Sequence, residues 1–62
     1  MCEAAAYVAK EDREELILEA VDLIEPEPDG TFRLVSIFGE QRIVKGRIKI
    51  INLVNHRVVF EE

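Results

Sequence analysis

The chain has one cysteine, one histidine, no tryptophan, three glycines and two prolines in 62 residues, and several classes of protein close with those scarcities. A single cysteine cannot form an intrachain disulfide, so a domain this small, near the limit at which one core outweighs chain entropy, must look to a metal or to oligomerisation for extra stability. It also fits a reducing compartment. With one histidine, no glycine-rich phosphate loop and no nucleophile, base and acid that could be grouped, catalysis is not expected, and so short a chain has little volume for a substrate pocket. No uncharged apolar run approaches the ~20 residues of a membrane helix, and no charged segment followed by an apolar block with a cleavage site opens the chain. A soluble, cytoplasmic protein of one domain spanning residues 1–62, with no membrane partner, is expected.

Charge is plentiful but uneven. Residues 1–30 carry ten acids and two bases, net −8, while residues 31–62 carry six bases and three acids, net +3. An acidic chain is a poor general ligand for phosphate, which is gripped by clustered Lys and Arg. The basic second half keeps a local patch open.

The chemically distinctive stretch is Met1-Cys2-Glu3-Ala4-Ala5-Ala6-Tyr7-Val8. A lone cysteine usually serves as a small buried hydrophobe, yet the first residues of a chain are seldom buried unless something ties them down. Beside Cys2 stand the Met1 amine and the Cys2 amide. With the thiolate they can close two five-membered chelate rings on one late first-row ion such as nickel or copper, and removal of Met1 would still leave an N,S chelate.

Along the chain, residues 2–9 give a weak strand signal because of three alanines, small enough to let a neighbouring strand approach closely. Lys10 to Glu15 is a charged break. Leu16 to Ile24 is ambiguous. Ile17, Ala20, Val21 and Ile24 fit a helical face, whereas residues 14–18 and 20–25 also read as two short strands with a corner near Glu19. Pro26, Pro28, Asp29 and Gly30 mark a turn. Strands follow at 31–37, 41–44, 47–54 and 57–61, separated by a turn at Phe38-Gly39-Glu40, a bend at Lys45-Gly46 and a two-residue hairpin at Asn55-His56. Within two strands the alternation slips by one residue, from Phe32 and Leu34 to Val35 and Ile37, and from Ile48 and Ile50 to Ile51 and Leu53, which predicts β-bulges. The expected architecture is all-β: a small, strongly bent, antiparallel, barrel-like domain of about six or seven short strands. Its expected core is Phe32, Leu34, Ile37, Ile43, Ile48, Ile50, Leu53, Val58 and Phe60. His56 reads as an exposed turn residue, with a peripheral metal role as the lesser alternative.

The opening Met1-Cys2, a strand ending in Phe38 before Gly39-Glu40, the glycine of Lys45-Gly46, a long strand with its hairpin, and the terminal Val58-Val59-Phe60-Glu61-Glu62 resemble the CooT family over nearly the whole chain. The segment from Glu11 to Glu15 departs from the family in lacking glycines. The resemblance implies strands rather than a helix at Leu16 to Ile24. It further implies a homodimeric nickel-binding protein that serves a metalloenzyme client, carbon monoxide dehydrogenase, with nickel(II) as the metal and Cys2 as its ligand.

Two other readings compete. Arg33, Arg42, Lys45, Arg47 and Lys49 fall on or beside strands and would make a basic face for RNA; relatives of the family have been described as predicted RNA-binding. Among the aromatic residues, the phenylalanines are expected in the core, which leaves few surfaces for stacked bases. A metal-independent protein-interaction module is the second alternative, since maturation chaperones of the HypC kind open with a similar Met-Cys but add a C-terminal helix.

Overall fold

Every segment rich in β-branched and aliphatic residues between the turn signals forms a strand in the computed structural model, which describes residues 3–62. The strands are β1 (Ala4–Ala9), β2 (Glu14–Pro26), β3 (Thr31–Ser36), β4 (Gln41–Lys45), β5 (Arg47–Asn52) and β6 (Arg57–Glu61). They make one six-stranded sheet in the order β4-β3-β2-β1-β6-β5. The sheet is bent without closing, and its two edge strands are consecutive in sequence, joined only through Gly46. The expected antiparallel architecture needs one correction: β1 and β6 run parallel, with Ala5 opposite Arg57 and Ala9 opposite Glu61.

The ambiguous segment is a strand of 13 residues. Its apolar residues on all sides are accommodated because its first half pairs with β1 and its second half with β3. The corner lies at Ala20, whose φ is 57°, next to Glu19 as expected. A non-glycine residue there gives up about 1–2 kcal/mol, and the folded-over sheet holds it in place. The Cα atoms consequently span only 16 Å in the thinnest direction against 31 and 28 Å in the others.

β5 does carry a bulge, but the register shifts between Ile48 and Ile50, with Lys49 as the additional residue, ahead of the expected slip between Ile50 and Ile51. β3 does not. Its pairing with β4 is uninterrupted, and the shift lies instead on β2 between Val21 and Leu23. β5 ends at Asn52, so residues 53–56 form a four-residue turn in place of the expected two-residue hairpin, with the positive φ of 54° at His56 and not at Asn55.

The core is centred further toward the start of the chain than the sequence suggests. Ala6, Leu18, Val21, Leu34, Val44, Val58 and Phe60 form the buried cluster, with Phe32 and Ile48 packed against it. Ala6 has no exposed surface, opposite Leu18 on one side and Val58 on the other, so its small side chain is what lets the three strands close over it. The rings of Phe32 and Phe60 meet at 5.4 Å. Four expected core residues, Ile37, Ile43, Ile50 and Leu53, are exposed instead. Ile43 and Ile50 lie on edge strands, Ile43 opposite Arg33 on the face away from the buried Val44, and Ile37 and Leu53 lie in turns.

Candidate metal centre and its surroundings

Met1 and Cys2 lie outside the described residues; the structure defines where the chain beyond them is anchored. Glu3 is exposed and leads into β1, a central strand held on both sides. Ala4 stands opposite Val21 on β2. The Ala5 amide donates to the His56 carbonyl at 2.9 Å, so the start of β1 is stitched to the turn between β5 and β6. On the other flank, the Ile37 amide donates to the Ala20 carbonyl at 2.9 Å, which ties the turn between β3 and β4 to the corner of β2. The start of β1 is therefore flanked on one side by the turn at His56 and on the other by β2, whose corner carries the second turn.

Both turns are held by short polar side chains. The Ser36 hydroxyl accepts from the amides of Phe38 and Glu40 at 3.1 and 3.2 Å, and Gly39 adopts φ 87° to complete the reversal. The Asn52 side-chain oxygen accepts from the Asn55 amide at 3.0 Å. His56 is exposed at the end of its turn. Among the described residues no three His, Cys, Asp or Glu side chains gather as a metal cluster, and none of their helices is long and apolar enough to cross a membrane.

Two of the five cations of the nucleic-acid reading are tied up by carboxylates. Arg33 on β3 is paired with Glu25 and Glu27, the latter at 3.2 Å, and these carboxylates, Glu25 first, raise its pKa. Arg42 on β4 is exposed and donates to the Gln41 carbonyl at 2.8 Å; Lys45 ends the same strand. Arg47 and Lys49 sit on β5, at the other edge of the sheet, Arg47 bound to Glu61 at 2.9 Å and Lys49 lining a depression of mixed charge with Lys10, Glu11, Asp12, Arg13 and Glu14. Phe32 and Phe60 are committed to the core as expected, but Phe38 is exposed at the tip of its turn, a correction to its expected burial.

Two features escaped the sequence. Arg57 stacks over Tyr7, 4.5 Å from the ring centroid, and pairs with Glu14, 43 positions away. Tyr7 is half-buried on β1, and nothing in the sequence brings it, or Glu14, to Arg57. The second is the exposure of Leu53 and Val54, which the sequence placed in a strand and the structure places at a turn tip.

Comparison with known proteins covers nearly the full chain. The family model for CO dehydrogenase accessory protein CooT matches residues 1–61. A crystal structure of a protein assigned to CooT from Carboxydothermus hydrogenoformans superposes with a TM-score of 0.90 at 43% identity, covering 98% of this chain and 97% of that one. No curated protein matches.

Proposed function

Since this chain belongs to the CooT family, accessory proteins of CO dehydrogenase rather than catalytic enzymes, we propose that it binds nickel(II) through Cys2 and supplies it to that client. Support comes from a thiol at position 2 of a chain whose family match includes that position. The donor chemistry fits. A thiolate with a neighbouring backbone or terminal nitrogen prefers a thiophilic late first-row ion to magnesium or calcium, which take oxygen. The strand that follows is anchored on both sides, so the donors start from a fixed point.

One chain offers a single cysteine, and two protomers related by a twofold axis would together provide two sulfurs and two nitrogens, a set that suits nickel(II) in a square plane. The thiol must lose its proton to bind, so affinity should rise with pH through the thiol and amine range. The nickel here is cargo, received and passed on. The RNA alternative draws less support, because two of its five cations, Arg33 and Arg47, are paired with carboxylates.

Calorimetric titration with nickel tests the reading directly. Wild type should take up one nickel per pair of chains with a thiolate-to-nickel charge-transfer band, and Cys2→Ser should lose both while keeping its β-sheet circular dichroism. Undiminished affinity in Cys2→Ser would remove the cysteine from the site.

A further inference from the structure

We propose that the free edge of β4 takes up an extended, acidic segment of a partner protein as an added strand of the sheet. β4 is paired only with β3, so one side of its backbone has no neighbouring strand. Which of its residues face outward follows from the ladder. The Ser36 amide donates to the Glu40 carbonyl and the Glu27 amide to the Thr31 carbonyl, each at 2.8 Å, so residues 32, 34 and 36 turn their backbone groups toward β4 and residues 31, 33 and 35 toward β2. Bonded pairs alternate along an antiparallel ladder. Leu34 with Arg42 and Phe32 with Val44 are therefore the bonded pairs, and the amides and carbonyls of Gln41, Ile43 and Lys45 point away from the sheet.

Those three residues also share a face, since side chains alternate along a strand, and all three are exposed. Ile43, at their centre, is 61% exposed and lines a depression together with Val8, Ile17 and Val44. An incoming strand meets three free amides and three free carbonyls, with an apolar hollow beside the middle of the row. The other edge is blunted. Proteins guard free edges with bulges and lysines, and β5 has both at Lys49, where its register with β6 breaks. β4 pairs with β3 over five residues without interruption and carries its cations at positions 42 and 45, off its centre.

Charge selects the occupant. All 13 acids of the chain lie outside residues 41–60, a stretch that holds Arg42, Lys45, Arg47, Lys49 and Arg57. Neither Arg42 nor Lys45 enters an ion pair among the described residues. A strand with carboxylates opposite these two cations and an apolar residue opposite Ile43 gains favourable cross-strand pairs, whereas a second β4 would bring cations to cations. Nucleic acid would meet the same charges but leave the outward row of backbone groups without a ladder. In strand addition that row supplies the affinity, and alternate side chains supply the choice of partner. The proposal uses neither Met1 nor Cys2, so it stands or falls apart from the nickel reading.

Nuclear magnetic resonance on the isotope-labelled full chain tests it, with a capped heptapeptide of alternating glutamate and valine as the probe. Wild type and Cys2→Ser should both show saturable amide shifts centred on residues 41–45, with half-saturation below about 1 mM and weaker binding as salt is raised. At saturation, hydrogen exchange at the Gln41, Ile43 and Lys45 amides should slow by about tenfold or more. The amides of Arg42 and Val44, already bonded to β3, should change little. Lys45→Glu and Arg42→Glu should each weaken binding by about threefold or more, either one serving should the other fail to fold, and Lys49→Glu on β5 should leave it unchanged. A peptide with lysine in place of glutamate should bind about tenfold more weakly or worse. No saturable binding, shifts centred on β5, equal binding of the lysine peptide, or shifts without slowed exchange at the three outward amides would each overturn the proposal. An oligouridine that engages residues 41–45 more tightly than the glutamate peptide would assign these cations to RNA and overturn it as well.

Discussion

Gly46 is the single residue linking the two edge strands, and replacing it with alanine makes a demanding test of the fold. Its φ is +108°, a region that side chains rarely enter, and a Cβ added there would lie 2.1 Å from the Glu61 carbonyl oxygen and 2.9 Å from both the Glu61 carbonyl carbon and the Glu62 Cα. The obstructing atoms are all backbone, so no side chain can swing aside. Backbone strain at such a φ costs about 1–3 kcal/mol, and forcing atoms into a packed contact adds about 1–3 kcal/mol. A domain of this length has a total stability of about 3–9 kcal/mol, so Gly46→Ala should remove a large part of it, with a fall in Tm of at least about 10 °C at 4–8 °C per kcal/mol.

Gly39→Ala is the matched control. Its φ is +87°, but nothing lies within 4 Å of the added carbon. It pays for strain alone, about 1–2 kcal/mol after the entropy gained by stiffening the unfolded chain. Urea unfolding followed by circular dichroism, with m-values compared to confirm two-state behaviour, measures both. Equal losses in the two variants, or a Gly46→Ala variant within about 1 kcal/mol of wild type, would refute the argument that the close approach to β6 matters.

Other perturbations follow from the same geometry. Ala20→Gly relieves the positive φ at the corner of β2 and, after the entropic cost of glycine, should be neutral or stabilising by up to about 1 kcal/mol in urea unfolding; a clear loss would show that the methyl group packs usefully. Ala6→Val places two more carbons where no surface is exposed between Leu18 and Val58 and should destabilise by about 1–3 kcal/mol despite the better strand propensity of valine. Hydrogen bonds from the Thr31 hydroxyl at 2.6 Å and the Thr31 amide at 3.2 Å hold the Asp29 carboxyl below its ordinary value of 3.8. A carboxyl depressed in the folded state stabilises fully above the unfolded pKa and loses that contribution as pH falls through the folded one. Thermal melts should therefore show stability dropping below about pH 4, with a shallower drop in Asp29→Asn; identical profiles would place the acid sensitivity elsewhere.

Local punctuation proved informative. The turn at Pro28-Asp29-Gly30 forms as its residues require, with Gly30 at φ 87° and Asp29 bonded to Thr31, and the broken alternation at Ile50-Ile51 announced a bulge in β5, which forms just before it at Lys49. Hydrophobic pattern alone could not say which strands would lie at the edges. Ile43 and Ile50 look like core residues in sequence and are exposed on edge strands β4 and β5, where on β4 the neighbouring Val44 takes the core face and leaves Ile43 on the other. In the opposite sense, Ala6 looks unimportant and is fully buried, because it sits on a central strand. The cysteine was conspicuous from its position and the family resemblance, and it lies outside the described residues. The pair Arg57 and Glu14 was invisible, since only the folded sheet joins residues so far apart.

The parallel pairing of β1 with β6 has a mechanical consequence. These are the first and last strands, lying side by side with the start of one and the finish of the other at opposite ends of the ladder. Tension applied between the two termini would drag them past each other, loading the inter-strand bonds together rather than peeling them one after another. Pulled in this direction, the molecule should yield at a higher force than it would if the β3–β4 ladder were unzipped from its turn.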